Sequence, residues 1–392
     1  MLQRSRARLR VIASGSMTTG TAIGLTPESY PFGFEVGGDR IAFLALTRED
    51  FARASFLDAR VLAPDSRRWS TPWPEVAATI AAAGLAERCG FIFHIGHVGS
   101  TLLSRLIGAH PRVLALREPL MLRTFAQLRS PSPDTTAGRG DLRGDGRGGV
   151  REIWAREPGA YEKRLSGCLK LLSRTFDPQD LAILKATSFV AEIAPALLGR
   201  PAAPKALLLG VSPQSYLATI FGGPNSRKEA EVLLPGRAAR LQRRAAARGE
   251  AASADPQSEG EALALAWACE TAALAQAAQV AGTRALSMDF DTFLAAPEAH
   301  LSRALGHFDR AADAEEIGRI LGGPDISRYS KAPEYAYDAS LRRDVLAAAR
   351  STHGAEIRRG LAWLERGAAR SRPIRDALEY AATAAGRGRP GS

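Results

Sequence analysis

The sequence predicts an α/β protein: a parallel sheet with helices on both faces, preceded by an N-terminal β-hairpin and followed by added helices. Three observations carry that prediction. From Cys89 onward, short and continuously apolar runs recur at residues 91–95, 113–116, 181–184, 206–211 and 284–288, as in strands buried on both faces. Helix-length stretches follow these runs, the alternation of a parallel α/β sheet. The first run ends in a glycine turn that opens directly into a helical pattern with Leu102, Leu103, Leu106 and Ile107 on one face.

Taken in chain order, residues 1–27 read as a basic tail, with Met17 as an alternative start. Residues 28–88 form an N-terminal decoration, in which 30–36 and 41–46 flank Gly37-Gly38-Asp39 as a hairpin with a glycine turn. Residues 89–331 are the α/β core, and 332–392 a helical extension with its helices over 341–385. Two inserts interrupt the core. Residues 130–150 are a Gly/Pro/Ser/Asp loop without apolar periodicity, and the Arg139-Gly140-Asp141 triplet inside it is a chance occurrence in an Arg/Gly-rich stretch. Residues 227–259 carry the basic helical piece GRAARLQRRAAAR, either a solvated helix face or an arginine lid over phosphate groups.

The 392 residues are 45% hydrophobic and 24% charged, enough for a sizeable core and unlike a disordered, collagenous or disulfide-stapled chain. Six of the arginines behind the net charge of +11 lie in the acid-free termini; without them the surplus is +5. That suits a pocket for a small anion better than a polyanion groove, and no aromatic residues interleave with the basic ones, so nucleic acid is not an expected partner. The longest apolar runs fall short of a membrane span, and no export segment is evident, so a cytoplasmic protein without membrane contact is expected. Three widely spaced cysteines, Cys89, Cys168 and Cys269, give neither a disulfide framework nor a metal pair, and the histidines lack metal-like spacing. The sequence leaves the oligomeric state open.

The most informative stretch is FIFHIGHVGSTLLSRLIGAHPRVLALREP, residues 91–119. A strand, the turn Gly96-His97-Val98-Gly99-Ser100-Thr101 and a helix N-terminus converge backbone N–H groups, the helix dipole and two hydroxyls on one point, which suits a phosphate or sulfate. A tight turn that merely caps the helix is the alternative. It is not the common triphosphatase loop, which requires glycine at the position of His94 and lysine at that of Ser100.

This stretch resembles the sulfotransferase family, P-loop-like enzymes that transfer a sulfuryl group from 3′-phosphoadenosine 5′-phosphosulfate. In that family a basic residue stands two before the glycine of a G-[ST]-T segment, matched by His97, Gly99, Ser100 and Thr101. The segment GSTLLSRLIGAHPRVLALREP is most similar to the tyrosylprotein-type and bacterial branches, whose spacing implies Glu118 as the catalytic glutamate. LAILKATSF resembles the strand with the active-site lysine, implying Lys185. RALSMDFDTFLAAPEAHLSRALGHF resembles a late strand and helix, with Phe290-Asp291 at the family's Tyr-Glu positions. The resemblance covers residues 89–331 and extends to a late loop with Ser330 and Lys331 near the donor.

Two departures stand out. The loop cation is His97, and the family's 3′-phosphate arginine and serine positions hold Val211 and Thr219. Arg227, Lys228, Arg237 or Arg240 then supply the missing charge, or the donor lacks a 3′-phosphate. By its chemistry Glu118 is a candidate base for the acceptor proton, or a surface partner of Arg117 or Arg123. Only six of the 52 basic residues are lysines, so Lys185 at a strand end stands out, either to neutralise a leaving oxygen or to snorkel. His94 reads as a core residue. The expected activity is sulfuryl transfer to a small-molecule or peptide acceptor; a phosphotransferase using the same cradle and a degenerate nucleotide-binding protein are the alternatives.

Overall fold

The computed structural model describes residues 18–19, 24–35, 37–129, 150, 154–250, 255–323 and 339–386. Met17, the Arg139-Gly140-Asp141 triplet, Ser330 and Lys331 lie outside the described residues.

Five strands form the parallel central sheet: β5 (Gly90–His94), β6 (Val113–Arg117), β7 (Leu181–Lys185), β8 (Ala206–Gly210) and β9 (Ala285–Asp289). Their order is β6-β7-β5-β8-β9. Every residue of β5 and β6 is buried, which explains why the runs are continuously apolar rather than alternating. Each of the five expected runs is a strand, with ends shifted by a residue or less. From β5 the chain passes over β7 to reach β6, whereas β8 lies on the other side of β5. The connections therefore diverge at β5, and the crevice beyond its C-terminal end is where open α/β sheets bind ligands.

The N-terminal hairpin is present but incomplete as an account of its layer. β2 (Ser29–Phe34) and β3 (Arg40–Ala45) pair antiparallel, with Phe34 opposite Ile41. They belong to a four-stranded sheet of order β1-β4-β3-β2, completed by β4 (Arg68–Pro72) and β1 (Thr18–Thr19). The sequence RWSTP of β4 has one large apolar residue and ends in proline, so it lacks a strand's alternation. Its place comes from tertiary contact: Trp69 lies opposite Phe43, and their rings stack at 5.6 Å.

A helix from Glu259 to Ala281 is buried along most of its length, as Leu263, Trp267, Cys269 and Leu274 show. The extension supplies the helices Ala339–Ala368 and Arg372–Ala384. The first of them crosses the buried helix closely: a β-carbon on Gly360 would meet the Gly260 backbone, and one on Gly260 the Glu356 backbone.

Candidate active site

The glycine turn leaves β5 and enters the helix Ser100–Gly108 through Gly99, which caps it in the left-handed region at φ 67°. A β-carbon at Gly99 would lie inside the Phe290 ring. Backbone conformation and space therefore both demand glycine here. Gly99→Ala is expected to cost about 2–4 kcal/mol, from left-handed strain and overpacking together. Relief of the clash alone by Phe290→Leu should restore only part of that loss in chemical denaturation. No side chain caps this helix, and among the described residues nothing accepts from the N–H groups of Ser100, Thr101 and Leu102. Those three donors and the dipole behind them form the positive end expected of an anion cradle.

Glu118 follows β6 and Lys185 ends β7, so both reach the same edge of the sheet. Arg117 lies opposite Lys185 in the parallel register, and the Glu118 N–H donates 2.6 Å to the Lys185 carbonyl. Glu118 is itself left-handed at φ 56°, a kink that departs from strand alternation and sets its carboxylate beside the turn. The Lys185 ammonium, 1% exposed, donates to Glu118 Oε1 and lies 3.4 Å from Thr101 Oγ1. Thr187 Oγ1 and an Arg60 guanidinium nitrogen stand 3.5 and 3.7 Å from Glu118 Oε2. Burial, the largest single influence, raises the Glu118 pKa, but the charge and hydrogen bond of Lys185, with His94 and Arg60, together outweigh it and the carboxyl sits below its ordinary value. The partner of Glu118 is thus Lys185 rather than Arg117 or Arg123. Arg117 instead donates to the carbonyls of Phe51, Ala52 and Ala54, and its own carbonyl accepts from the Leu57 N–H at 2.7 Å. Those bonds hold the segment carrying Phe56, Asp58 and Arg60 against the strand that ends in Glu118.

Glu270, in the buried helix, was not foreseen. Its Oε2 accepts from the Gly96 N–H at 2.8 Å, and its Oε1 accepts from Arg237 Nε and Nη2 at 2.8 and 2.6 Å. Burial raises the Glu270 pKa most, yet Arg237, the Gly96 N–H and Arg240 together hold it below the ordinary range. Arg237 lies on the helix Pro224–Ala246, whose same face brings Arg240 and Arg244 to Glu192, at 3.2 and 2.5 Å. The arginines at 237, 240 and 244 are therefore buried ion-pair partners, neither a solvated face nor an open lid. A signal was present in the sequence: Glu270 is the single acid in ALALAWACETAALAQAA, and a carboxylate is tolerated there only when paired. Because Glu118 and Glu270 both titrate below their unfolded value of about 4.3, their stabilisation is complete above that pH and is lost as pH falls through the lower folded values. Denaturant melts between about pH 6 and pH 3 should show that acid limb, and Glu270→Gln should make it shallower.

The remaining candidates are more dispersed. Val98, Ser100 and Thr101 are buried in the turn and the helix start, and Gly96 N–H is held by Glu270. His97, at φ 63°, has its ring against the helix Pro224–Ala246, with Nδ1 3.3 Å from Ser226 Oγ and Nε2 3.5 Å from Glu229. Arg227 makes a two-pronged pair with Glu259 at 2.8 and 2.7 Å. The Thr219 hydroxyl donates 2.7 Å to the Ser215 carbonyl, and the buried Val211 accepts from Trp267 Nε1 through its carbonyl at 3.0 Å. The positions expected to hold a 3′-phosphate are thus not gathered round one point. Buried His94 has each ring nitrogen 2.8 Å from a carbonyl, of Ile95 and of Ala186, and burial pushes its pKa down to about 4. A neutral ring donates to only one of the two. Among the described residues no cluster of His, Cys, Asp and Glu is arranged for a metal, and no helix is long and apolar enough to cross a membrane.

No family model and no curated relative matches the chain. Among solved structures it is similar to the sulfotransferase domain from the curacin biosynthetic pathway, with 14% identity over 69% of this chain and 99% of that one and a TM-score of 0.36. It is also similar to a sulfotransferase from Alicyclobacillus acidocaldarius, with 12% identity, coverage of 70% and 95%, and a TM-score of 0.31. A third is sulfotransferase STF9 from Mycobacterium avium, with 14% identity, coverage of 71% and 81%, and a TM-score of 0.34.

Proposed function

We propose that this protein is a sulfotransferase, moving a sulfuryl group from 3′-phosphoadenosine 5′-phosphosulfate to a hydroxyl or amine of a small-molecule or peptide acceptor. One observation carries the reading: the glycine turn, Glu118 and Lys185 converge beyond the C-terminal ends of β5, β6 and β7, at the divergence of the sheet. The donor's 5′-phosphosulfate fits the turn, where Ser100, Thr101 and Leu102 N–H groups and two hydroxyls face an anion. The Thr101 contact puts Lys185 beside that anion, where its charge neutralises the oxygen left on the donor as its bond to sulfur breaks. Sulfur gains the acceptor oxygen or nitrogen, and the acceptor proton passes to Glu118. While paired with Lys185, Glu118 is a weak base; when the ammonium turns to the donor, the carboxylate regains proton affinity. A cytoplasmic setting, where Cys89, Cys168 and Cys269 stay as the buried thiols seen here, belongs to the same reading.

A second reading, phosphoryl transfer from a nucleotide without a 3′-phosphate, is favoured by the engagement of Thr219 and Arg227 elsewhere. Thermal shift with adenosine 3′,5′-bisphosphate, ATP and GTP separates the two. Stabilisation should be largest with the bisphosphate, and an equal or larger shift with ATP would transfer the assignment to phosphoryl transfer.

A further inference from the structure

Beside Glu118 lies a group of charges that the transfer step leaves unused. Asp58 Oδ1 and Oδ2 accept from Arg60 Nε and Nη2 at 2.8 and 2.5 Å, and Arg60 lies 3.4 Å over the centre of the Phe56 ring. On the other side, Arg123 projects from the helix Leu120–Arg129 that follows Glu118. Its nearest acid is the same Asp58, with Nη1 3.6 Å from Oδ2, beyond hydrogen-bond distance. Its Nε is buried with no hydrogen-bond partner, and its guanidinium carbon lies 5.9 Å from the centre of the Phe189 ring. Phe189 belongs to the 3-10 turn Ser188–Ile193, immediately after Lys185, Ala186 and Thr187. Three cations, Lys185, Arg60 and Arg123, thus share two carboxylates, Glu118 and Asp58.

We infer that Arg123 is the seat of a carboxylate carried by the acceptor, so that the substrate is a hydroxy acid or amino acid-like molecule rather than a neutral alcohol. This rests on the function proposed above and names its acceptor class. A guanidinium with a desolvated, unsatisfied donor gains most from a planar acceptor with two oxygens. Asp58 fixes Arg60 and leaves Arg123 only a longer contact, so the acid screens the seat without filling it. Arg117 and Tyr30, whose hydroxyl lies 3.3 Å from the Leu57 carbonyl, hold the segment bearing Asp58, so the N-terminal layer supplies half of the acceptor site.

The test measures binding of 4-hydroxybenzoate and of phenol by calorimetry, with and without saturating adenosine 3′,5′-bisphosphate, to the wild type and to Arg123→Met and Arg123→Lys. Methionine keeps the apolar stem, and melting temperatures check that each variant is folded. The expected result is that Arg123→Met weakens 4-hydroxybenzoate roughly 10- to 100-fold, the worth of a hydrogen bond to a charged group, and leaves phenol unchanged. Arg123→Lys should recover part of the loss, since an ammonium keeps the charge without the fork. Equal affinity for the two probes, no measurable 4-hydroxybenzoate binding, or an Arg123→Met variant that binds like the wild type would overturn the inference. If Arg123 selects the carboxylate but the bisphosphate neither binds nor stabilises the protein, the carboxylate seat stands and the sulfotransferase reading falls.

Discussion

Replacing Glu118 by glutamine is expected to lower turnover by ~10²- to 10⁴-fold while leaving the affinity for adenosine 3′,5′-bisphosphate close to that of the wild type. Glutamine keeps the shape and an oxygen that accepts from Lys185, but it cannot take a proton. The proposed donor cradle consists of backbone N–H groups of another segment, so it should survive the change. Lys185 is the reason for measuring stability as well: it is buried, and the change removes the carboxylate charge to which its ammonium donates. Single-turnover transfer from labelled donor, run well below each variant's melting temperature, separates the lost base from lost folding. Near-normal turnover would remove Glu118 from the chemistry. Lys185→Arg should not rescue a Lys185→Ala defect in full, because a planar fork cannot take the position of a point charge between Glu118 and Thr101.

Glu270→Gln is expected to destabilise the protein by about 3–5 kcal/mol, the usual cost of leaving one member of a buried ion pair uncompensated. The amide oxygen can still accept from the Gly96 N–H, so the turn should keep its path, and the loss should trace to Arg237, which is 2% exposed. Arg237→Met combined with Glu270→Gln tests this, because removing both charges should restore a large part of the stability. Urea melts of the single and double variants give the coupling directly. If the single change costs less than about 1 kcal/mol, the pair is solvated in solution and does not anchor the turn.

How much of this was legible in the sequence follows from the range of the forces involved. The five core strands were readable because a strand buried on both faces writes its burial into consecutive residues, as in Phe91-Ile92-Phe93. The turn was readable because glycine at 99 answers to a local backbone demand. Glu118 and Lys185 stood out by resemblance and, for lysine, by rarity, but their contact with each other depends on β7 pairing with β6 across 67 positions of chain. Glu270 and Arg237 were illegible as partners for the same reason: each is ordinary in its own helix, and only the packing of the two helices makes them a pair. The strand β4 was missed because its pairing with β3, rather than any alternation of its own, makes it a strand. The arginines of the helix Pro224–Ala246 read as a solvated face or a phosphate lid because their spacing was visible and their acids were not.

The kink at Glu118 has a consequence for how such a protein can diverge. Arg117 and Glu118 are neighbours in the chain, yet one clasps the N-terminal layer and the other pairs with Lys185 beside the glycine turn. A strand of fixed length therefore indexes two compartments at once. One residue inserted between Val113 and Arg117 would bring the guanidinium to the place of the Glu118 carboxylate, and one residue deleted there would bring the carboxylate to the carbonyls of Phe51 and Ala54. Length variation is therefore barred from this stretch, while point substitution in the N-terminal layer leaves the Glu118–Lys185 pair in place.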